Sequence, residues 1–464
     1  MAVCILAAGC VAEPTNRANS NANVAPLATP TATISPAPVS EKASKTQALT
    51  LPVLDAFLAN ETFSGLLKSR LQITDEQIAK LKEAAHADTA KLSEANAGTS
   101  AGETASARTA ATETITRIVG AEKAEQLAAL IAEQGTSDNE STADKTATPS
   151  ASNDGKIRNG IPSDTRVVVN APAYRMDVFE AGRLIKSYKI GIGYPQFPLP
   201  TGLRKARTII FNPTWTPPDE PWVAKMKNVS VGEKVEAGSK LNPLGPVKIP
   251  IGGPSLIHGG KPVAKIGTFA SHGCVGLTTP QVHDFAKLLA QLGGARLTDI
   301  DIGAFERNKT ETKEVKLSNA VPVELRYETI VVEDGKLHIY RDVYDQDTNT
   351  EENLRAVLDA NGVRLADLTE EERTQILDAL AQMSGSSAAR MPSLATPSSG
   401  AKRSASASPT TSEKKSTAAK TTPRATRNQK EIVIEIAALS GKGYPAPVDL
   451  DTGVGTGKKV KVKG

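Results

Sequence analysis

Residues 257–277 decide the fold. They open Ile257-His258-Gly259-Gly260 and close Ser271-His272-Gly273-Cys274-Val275-Gly276-Leu277. The stretch holds two of the five histidines and one of the three cysteines, the other two being Cys4 and Cys10 near the start. His272 stands two residues before Cys274 and His258 sixteen before it. A lone thiol with imidazoles at hand is the residue set of a nucleophile and its base, and spacing alone leaves either histidine as the base. Ser271-His272-Gly273 reads as a turn that aims backbone N–H groups at a reacting carbonyl, because Gly273 has no side chain to block approach. A protonated histidine and a nearby helix start both predict a thiol pKa below the ordinary value. Zinc would accept these residue types, but no CxxC or HxxxH spacing is present and no second thiol is near, so neither metal nor cofactor is expected. A buried cysteine packed beside core histidines is the alternative without chemistry.

Upstream the signals are strands. Arg166-Val167-Val168-Val169-Asn170 is β-branched, and runs 174–180 and 184–192 flank the turn Glu180-Ala181-Gly182, predicting a hairpin. Pro195, Pro198 and Pro200, then Thr201-Gly202, make a rigid loop before a strand over 208–211. Asn212-Pro213-Thr214-Trp215-Thr216-Pro217-Pro218 suits neither helix nor central strand. Both tryptophans, Trp215 and Trp222, fall in this irregular segment, and Trp215 is a candidate for lining a substrate cleft or stapling a small core. Strands over 247–251 and 255–258 lead into the central stretch.

Downstream, Thr279-Pro280 predicts an N-cap and first-turn proline. The helix they open carries Val282, Phe285, Leu289 and Leu292 on one face and stops at Gly293-Gly294. His283, on its polar side, reads as a surface residue. Strands follow over 315–317, 321–332 and 337–340, with Asp334-Gly335 as a hairpin turn and His338 in a structural or exposed role. Helices over 351–359 and 370–383 come next, the second opened by a Thr369/Glu372 capping box. A strand is expected over 431–436.

The remaining chain bounds the organisation. With 29 prolines and only 4% aromatics in 464 residues, much of the sequence cannot bury enough apolar area to pack. The expected division is 1–10, a possible lipoprotein signal remnant; 11–50, a disordered tether; 51–135, a small helical module; 136–160, a linker; 161–305, the catalytic domain; 306–384, a strand–helix extension; 385–430, a disordered basic linker; and 431–464, a strand and basic tail. The helical module, with a Thr74/Gln77 capping box and a solitary His86 read as surface, suggests a spacer or docking role. A net charge of +4 is small for this length and implies no nucleic-acid partner. Lys402, Arg403, Lys414, Lys415, Lys420, Arg424, Arg427 and the terminal lysines could meet an anionic envelope surface. No apolar run after the N-terminus is long enough to span a membrane. Met1 to Cys10 resembles the end of a bacterial lipoprotein signal, although no basic segment precedes it and its apolar run is short. On that reading Cys10 carries lipid and Cys274 is the only free thiol. No feature fixes an oligomeric state.

Taken in order, the hairpin from Val167 to Ile192, Pro200-Thr201-Gly202, the Pro213–Pro218 segment around Trp215, Leu244-Gly245, Ile257-His258-Gly259 and Ser271-His272-Gly273-Cys274-Val275 closely resemble the YkuD-type L,D-transpeptidase domain of bacterial cell-wall enzymes. The run from 315 to Arg341-Asp342-Val343-Tyr344-Asp345 looks like the extension of larger members. The resemblance implies a mainly β catalytic domain, a mixed β-sheet sandwich, with a small helical N-terminal module and a C-terminal α/β extension. It implies Cys274 as nucleophile and His258 as general base oriented by the Gly259 carbonyl. It implies an oxyanion hole of backbone N–H groups around His272, Gly273 and Cys274, with His272 shaping the site and Ser271 supporting it. The implied partners are peptidoglycan stem peptides, and the implied location is the exported cell envelope, the periplasm. The implied reaction is two-step acyl transfer from a stem tetrapeptide, releasing D-Ala and forming a 3→3 cross-link. Water as acceptor would make an L,D-carboxypeptidase, and another envelope protein would make an anchoring enzyme. Many relatives carry Arg or Asn two residues after the cysteine. Gly276 stands there in this chain, which marks it as a cleft position and leaves a non-catalytic peptidoglycan-binding module as the reading from a different class.

Overall fold

The structure, a computed structural model, describes residues 49–92, 103–137, 160–384 and 429–453. Cys10, nearly all of the tether, most of the 136–160 linker, the basic linker to residue 428 and the lysine-rich tail lie outside the described residues.

Helices α1 (Leu51–Leu58), α2 (Glu61–Leu71), α3 (Asp75–Thr89), α4 (Glu103–Val119) and α5 (Ala121–Ser137) come first. Thr50 and Asn60 cap α1 and α2, and Thr74 with Gln77 forms the capping box of α3. The amphipathic spacing of Leu54, Leu58, Phe63, Leu67, Leu81, Ile115 and Leu127 buries one core between these helices.

The central region is built on one eight-stranded mixed sheet. Its strands are β1 (Arg166–Asn170), β2 (Arg175–Glu180), β3 (Arg183–Lys189), β5 (Gly202–Phe211), β6 (Val247–Pro250), β7 (Leu256–His258), β9 (Val275–Gly276) and β10 (Lys313–Arg326). The spatial order is β3-β2-β1-β10-β5-β6-β7-β9. Two further strands, β4 (Ile192–Gly193) and β8 (Phe269–Ser271), pair in parallel beside it. The β2–β3 turn has Ala181 and Gly182 both at positive φ, the geometry that matches strand twist in a two-residue hairpin. Helix α7 (Thr279–Leu292) lays Val282, Phe285 and Leu289 on the sheet core. Thr278, not Thr279, is its N-cap, in a capping box with Gln281. The short α6 (Pro221–Ala224) and α8 (Asp299–Arg307) complete this region.

Strand β10 corrects the expected boundary after residue 305. It runs parallel to β1 and antiparallel to β5, and it buries Val321, Val323 and Leu325 in the core of the main sheet. A register shift between Lys316 and Val321 breaks its alternation, so the sequence reads as two short strands. The run expected as one strand over 321–332 also divides. β10 ends at Arg326, and β11 (Ile330–Glu333) belongs to a second sheet with β12 (Lys336–Tyr340) and β13 (Glu431–Glu435).

Residues 431–435 are therefore the third strand of the extension rather than a unit of their own. Helices α9 (Glu351–Ala360) and α10 (Glu370–Met383) share that sheet's core through Leu354, Leu358, Ile376 and Leu380. The extension is tied to the main sheet by Arg175, whose guanidinium donates to both Glu333 carboxylate oxygens at 3.0 and 2.5 Å and to Asp177 at 2.9 Å. The chain then runs back along β3, where Ser187 N–H donates to Val448 O at 2.9 Å and Lys189 N–H to Asp451 O at 2.8 Å. Among the described residues no helix is long and apolar enough to cross a membrane.

Candidate active site

His258 ends β7 and Cys274 immediately precedes β9. The two strands pair in parallel with Ile257 opposite Val275 and His258 opposite Gly276. That register brings together the two halves of the central stretch. The His258 ring is buried, and its Nδ1 lies 2.9 Å from the Gly259 carbonyl. A carbonyl only accepts, so Nδ1 carries the hydrogen and Nε2 keeps its lone pair. Burial, then the charge of Lys261, holds the His258 pKa down to about 3.

Cys274 is a half-buried free thiol. Burial pushes its pKa up, the nearby Glu220 adds to this, and a backbone hydrogen bond from Leu256 and the charge of Lys261 work against it. The expectation of a lowered thiol pKa is thus reversed. No protonated histidine stands beside the sulfur, because His258 is neutral, and α7 starts five residues further on at Thr279. The resting pair is thiol and imidazole, not thiolate and imidazolium.

The turn 271–274 is fastened by one hydroxyl. Ser271 Oγ accepts from the Cys274 N–H at 3.0 Å and donates to the Cys274 carbonyl at 2.6 Å. The Cys274 N–H, one of the groups expected around the oxyanion hole, is thus engaged by Ser271 in this structure. The N–H groups of His272 and Gly273 have no hydrogen-bond acceptor among the described residues. Gly273 sits at φ +90°, where a side chain would be strained, and its carbonyl accepts from Ser255 Oγ at 3.1 Å.

His272 lies in an aromatic box. The Trp222 ring stacks on it at 4.4 Å and 10°, with Phe197 and Tyr194 edge-on at 4.7 and 5.3 Å. Burial, then Lys261, brings its pKa down to about 3 as well, so it is a neutral plate behind the turn. Trp222 is the site residue that sequence reading missed. Trp215, the expected cleft residue, is buried one layer back with Val223 and Leu244 and stacks on Trp222 at 5.9 Å. Its spacing from Trp222 was visible in the sequence, but which ring faced the site was not.

Gly276 is not an open cleft position either. It is buried, exchanges backbone hydrogen bonds of 2.8 and 2.9 Å with Gly191, and is overlain by the side chain of Lys261. His283 is half-buried, stacked on Phe211 and 3.4 Å from Glu306, rather than a plain surface residue. His338 pairs with Glu431 at 2.5 Å across β12 and β13, and His86 lies 3.8 Å from Asp55.

The helical module closes one side of this site. Thr50 Oγ donates to Gln196 O at 2.6 Å and Thr104 Oγ to Pro195 O at 2.8 Å, gripping the loop that carries Phe197. Lys225 Nζ, just past α6, donates to the carbonyls of Ala90, at 3.0 Å, and Leu92. Between the two lies an apolar cavity of about 30 Å³ lined by Val53, Phe57 and Ile131 from the module and Phe197, His272 and Gly273 from the catalytic side. Two buried carboxylates meet at this seam. Burial raises Asp55 on α1 to about 6 and Glu220 ahead of α6 to about 7, and the Asp55 charge adds to the Glu220 shift.

A half-buried thiol, a neutral imidazole oriented by a carbonyl and two unengaged N–H groups are the groups that thiol acyl-transfer chemistry requires. Residues 164–312 match the family model YkuD, the L,D-transpeptidase catalytic domain. Among solved structures the chain is similar to the catalytic domain of the Enterococcus faecium L,D-transpeptidase, with 16% identity over 36% of this chain and 100% of that one and a TM-score of 0.23. It is also similar to an L,D-transpeptidase from Mycobacterium smegmatis, with 14% identity over 35% of this chain and 58% of that one and a TM-score of 0.22. A third is the Ldtfm–avibactam carbamoyl enzyme, with 15% identity, 36% of this chain, 49% of that chain and a TM-score of 0.22. The chain thus spans about half the length of the first of these relatives it matches. No curated protein matches the chain.

Proposed function

We propose that the protein is an L,D-transpeptidase that forms 3→3 peptidoglycan cross-links through a Cys274 thioester. The observation that carries this reading is that, inside a YkuD domain, parallel pairing brings the strand ending at the oriented neutral His258 beside the strand that Cys274 precedes, with the His272 and Gly273 N–H groups unengaged in the turn between. The Cys274 sulfur attacks the carbonyl joining the third and fourth residues of a stem tetrapeptide while His258 Nε2 takes the thiol proton. The oxyanion that develops is met by the His272 and Gly273 N–H groups. The C–N bond breaks, the proton passes from His258 to the leaving amine, and D-Ala departs, leaving a thioester. An amine of a second stem then displaces the sulfur, losing its proton to His258 and returning it to Cys274. Because both partners rest neutral, proton transfer accompanies attack rather than preceding it. Ser271 holds the turn, and His272, clamped by Trp222, fixes the hole without taking the proton.

Incubation with a tetrapeptide donor and an amine acceptor, followed by mass spectrometry, tests this. D-Ala release, a cross-linked product and an adduct on Cys274 are expected. Hydrolysed tripeptide alone would assign the L,D-carboxypeptidase reaction, and binding with no adduct would assign a peptidoglycan-binding module. With this substrate the protein works in the cell envelope, exported to the periplasm. Cys10 is the candidate lipid anchor, and mass analysis of its N-terminal peptide from cells tests that assignment.

A further inference from the structure

Glu220-Pro221-Trp222 opens α6, and the mechanism above uses only its indole. Proline restricts the residue before it to extended backbone. Glu220 accordingly sits at φ −129°, ψ 141°, as the N-cap of α6. An N-cap side chain ordinarily accepts from the first N–H groups of its helix. The Glu220 carboxyl makes no such bond. It is buried, and it accepts from Trp222 Nε1 at 2.5 Å instead. The indole so held lies near-parallel to two further rings, Trp215 at 5.9 Å and 20° and His272 at 4.4 Å and 10°. Stacking fixes the separation and tilt of two rings but leaves each free to turn or slide in its own plane. A directional N–H···O bond removes that freedom. The other fastenings of the turn act on its backbone. Ser271 Oγ holds the N–H and carbonyl of Cys274, and Ser255 Oγ holds the Gly273 carbonyl. The His272 side chain is located by rings alone, and of these only Trp222 faces it flat.

We propose, resting on the transpeptidase reading, that Glu220 is a positioning residue for the oxyanion hole. Its bond to Nε1 locks the Trp222 indole in its plane, and the indole holds His272. The His272 and Gly273 N–H groups are thereby kept where charge develops on the substrate carbonyl. Glu220 acts through Trp222 and exchanges no proton in the reaction. Acylation of Cys274 needs the hole. Alkylation of the same thiol by iodoacetamide does not, because displacement of iodide by sulfur forms no oxyanion.

The full chain is compared with Glu220→Ala, Glu220→Gln, Trp222→Phe and the Glu220→Ala, Trp222→Phe pair. Two rates are read in each, single-turnover acylation by the tetrapeptide and alkylation by iodoacetamide. Because the Glu220 charge also acts on the Cys274 thiol, the ratio of the two rates is what is compared. In Glu220→Ala the ratio should fall about tenfold, short of the 10²–10³ lost with a whole hole donor. The fall should lie in the acylation rate constant and not in the donor concentration that half-saturates it. Glu220→Gln keeps an acceptor oxygen and should restore most of the ratio. In the Trp222→Phe background, which has no indole N–H, Glu220→Ala should change it by less than about twofold. If Glu220→Ala does not fold, Glu220→Met, which fills the space without an oxygen, replaces it with the same expectation. The Trp222 indole N–H proton resonance should also move upfield and exchange faster when the carboxyl is removed. An unchanged ratio, an equal fall in both backgrounds or an unmoved indole resonance overturns the proposal. A native chain that is alkylated but never acylated sinks the transpeptidase reading itself. A native chain that is acylated with a Glu220-independent ratio sinks only the positioning role.

Discussion

His258 and His272 belong to the same stretch as Cys274, and burial holds both pKa values down to about 3, yet their surroundings differ in kind. His258 sits at the end of a strand in the sheet core with one ring nitrogen tied to the Gly259 carbonyl. His272 is gripped face-on by Trp222 and edge-on by Phe197 and Tyr194, with no hydrogen bond to its ring among the described residues. A hydrogen-bonded imidazole has a defined proton and a defined lone pair, so it can exchange a proton in one direction. An aromatic-boxed imidazole is a shape. The low basicity common to both does not separate acid–base work from scaffolding, whereas the polar partner does.

The largest effect expected is from Cys274→Ala, which should abolish the covalent adduct and cut D-Ala release by at least about a thousandfold. His258→Gln should follow, with kcat falling about 10²- to 10⁴-fold, the usual worth of a positioned base. His272→Phe keeps a flat ring in the box and should cost about tenfold or less. Single-turnover acylation of the two variants side by side is the measurement, and equal losses would break the comparison drawn above. Ser271→Ala strands the Cys274 N–H and carbonyl, and a loss of about 1–3 kcal/mol in unfolding free energy is expected from denaturant titration.

The seam between module and site should respond to pH. Asp55 faces His86 and Thr89 and feels Asp219, while Glu220 accepts from Trp222 Nε1 at 2.5 Å and feels Asp55. Both folded pKa values, about 6 and about 7, lie above those of free carboxyls. The folded state therefore holds extra protons between roughly pH 4 and 7. Their contribution is fully present below the unfolded pKa and is lost as pH rises through 6 to 7. Amide protection in α1, corrected for the intrinsic base-catalysed exchange rate, should be higher at pH 5 than at pH 8, and Asp55→Asn with Glu220→Gln should flatten the difference. The smallest effect is Thr104→Val, expected to cost about 1 kcal/mol and to be seen in the same exchange experiment.

The local signals carried well into three dimensions. The hairpin turns at Ala181-Gly182 and Asp334-Gly335 and the capping boxes at Thr74 and Thr369 depend on neighbours in sequence, and each is present where the residues call for it. What failed was non-local. Only pairing with β1 and β5 reveals that 313–326 is the middle of the main sheet. Cys274 and His258 were legible as candidates because the chain brings them within one short stretch. The sense of the Cys274 shift was not, because burial outweighs the neighbours a sequence displays. Trp222 and Lys261 reach the site through stacking and a glycine gap, neither of which leaves a periodic trace.

The return of the chain along β3 has a consequence for when the protein can finish folding. Ser187 waits for Val448, 261 residues later. At ordinary synthesis rates that interval is about 13–50 s. Throughout it β3 is a bare sheet edge, the kind of surface that recruits other chains. The last described residues are thus a clasp on the first hairpin, and Gln281 Nε2, which also donates to Asp451 O at 2.8 Å, carries that late closure to the helix that follows Cys274. Assembly of the site is timed by residues that never touch it.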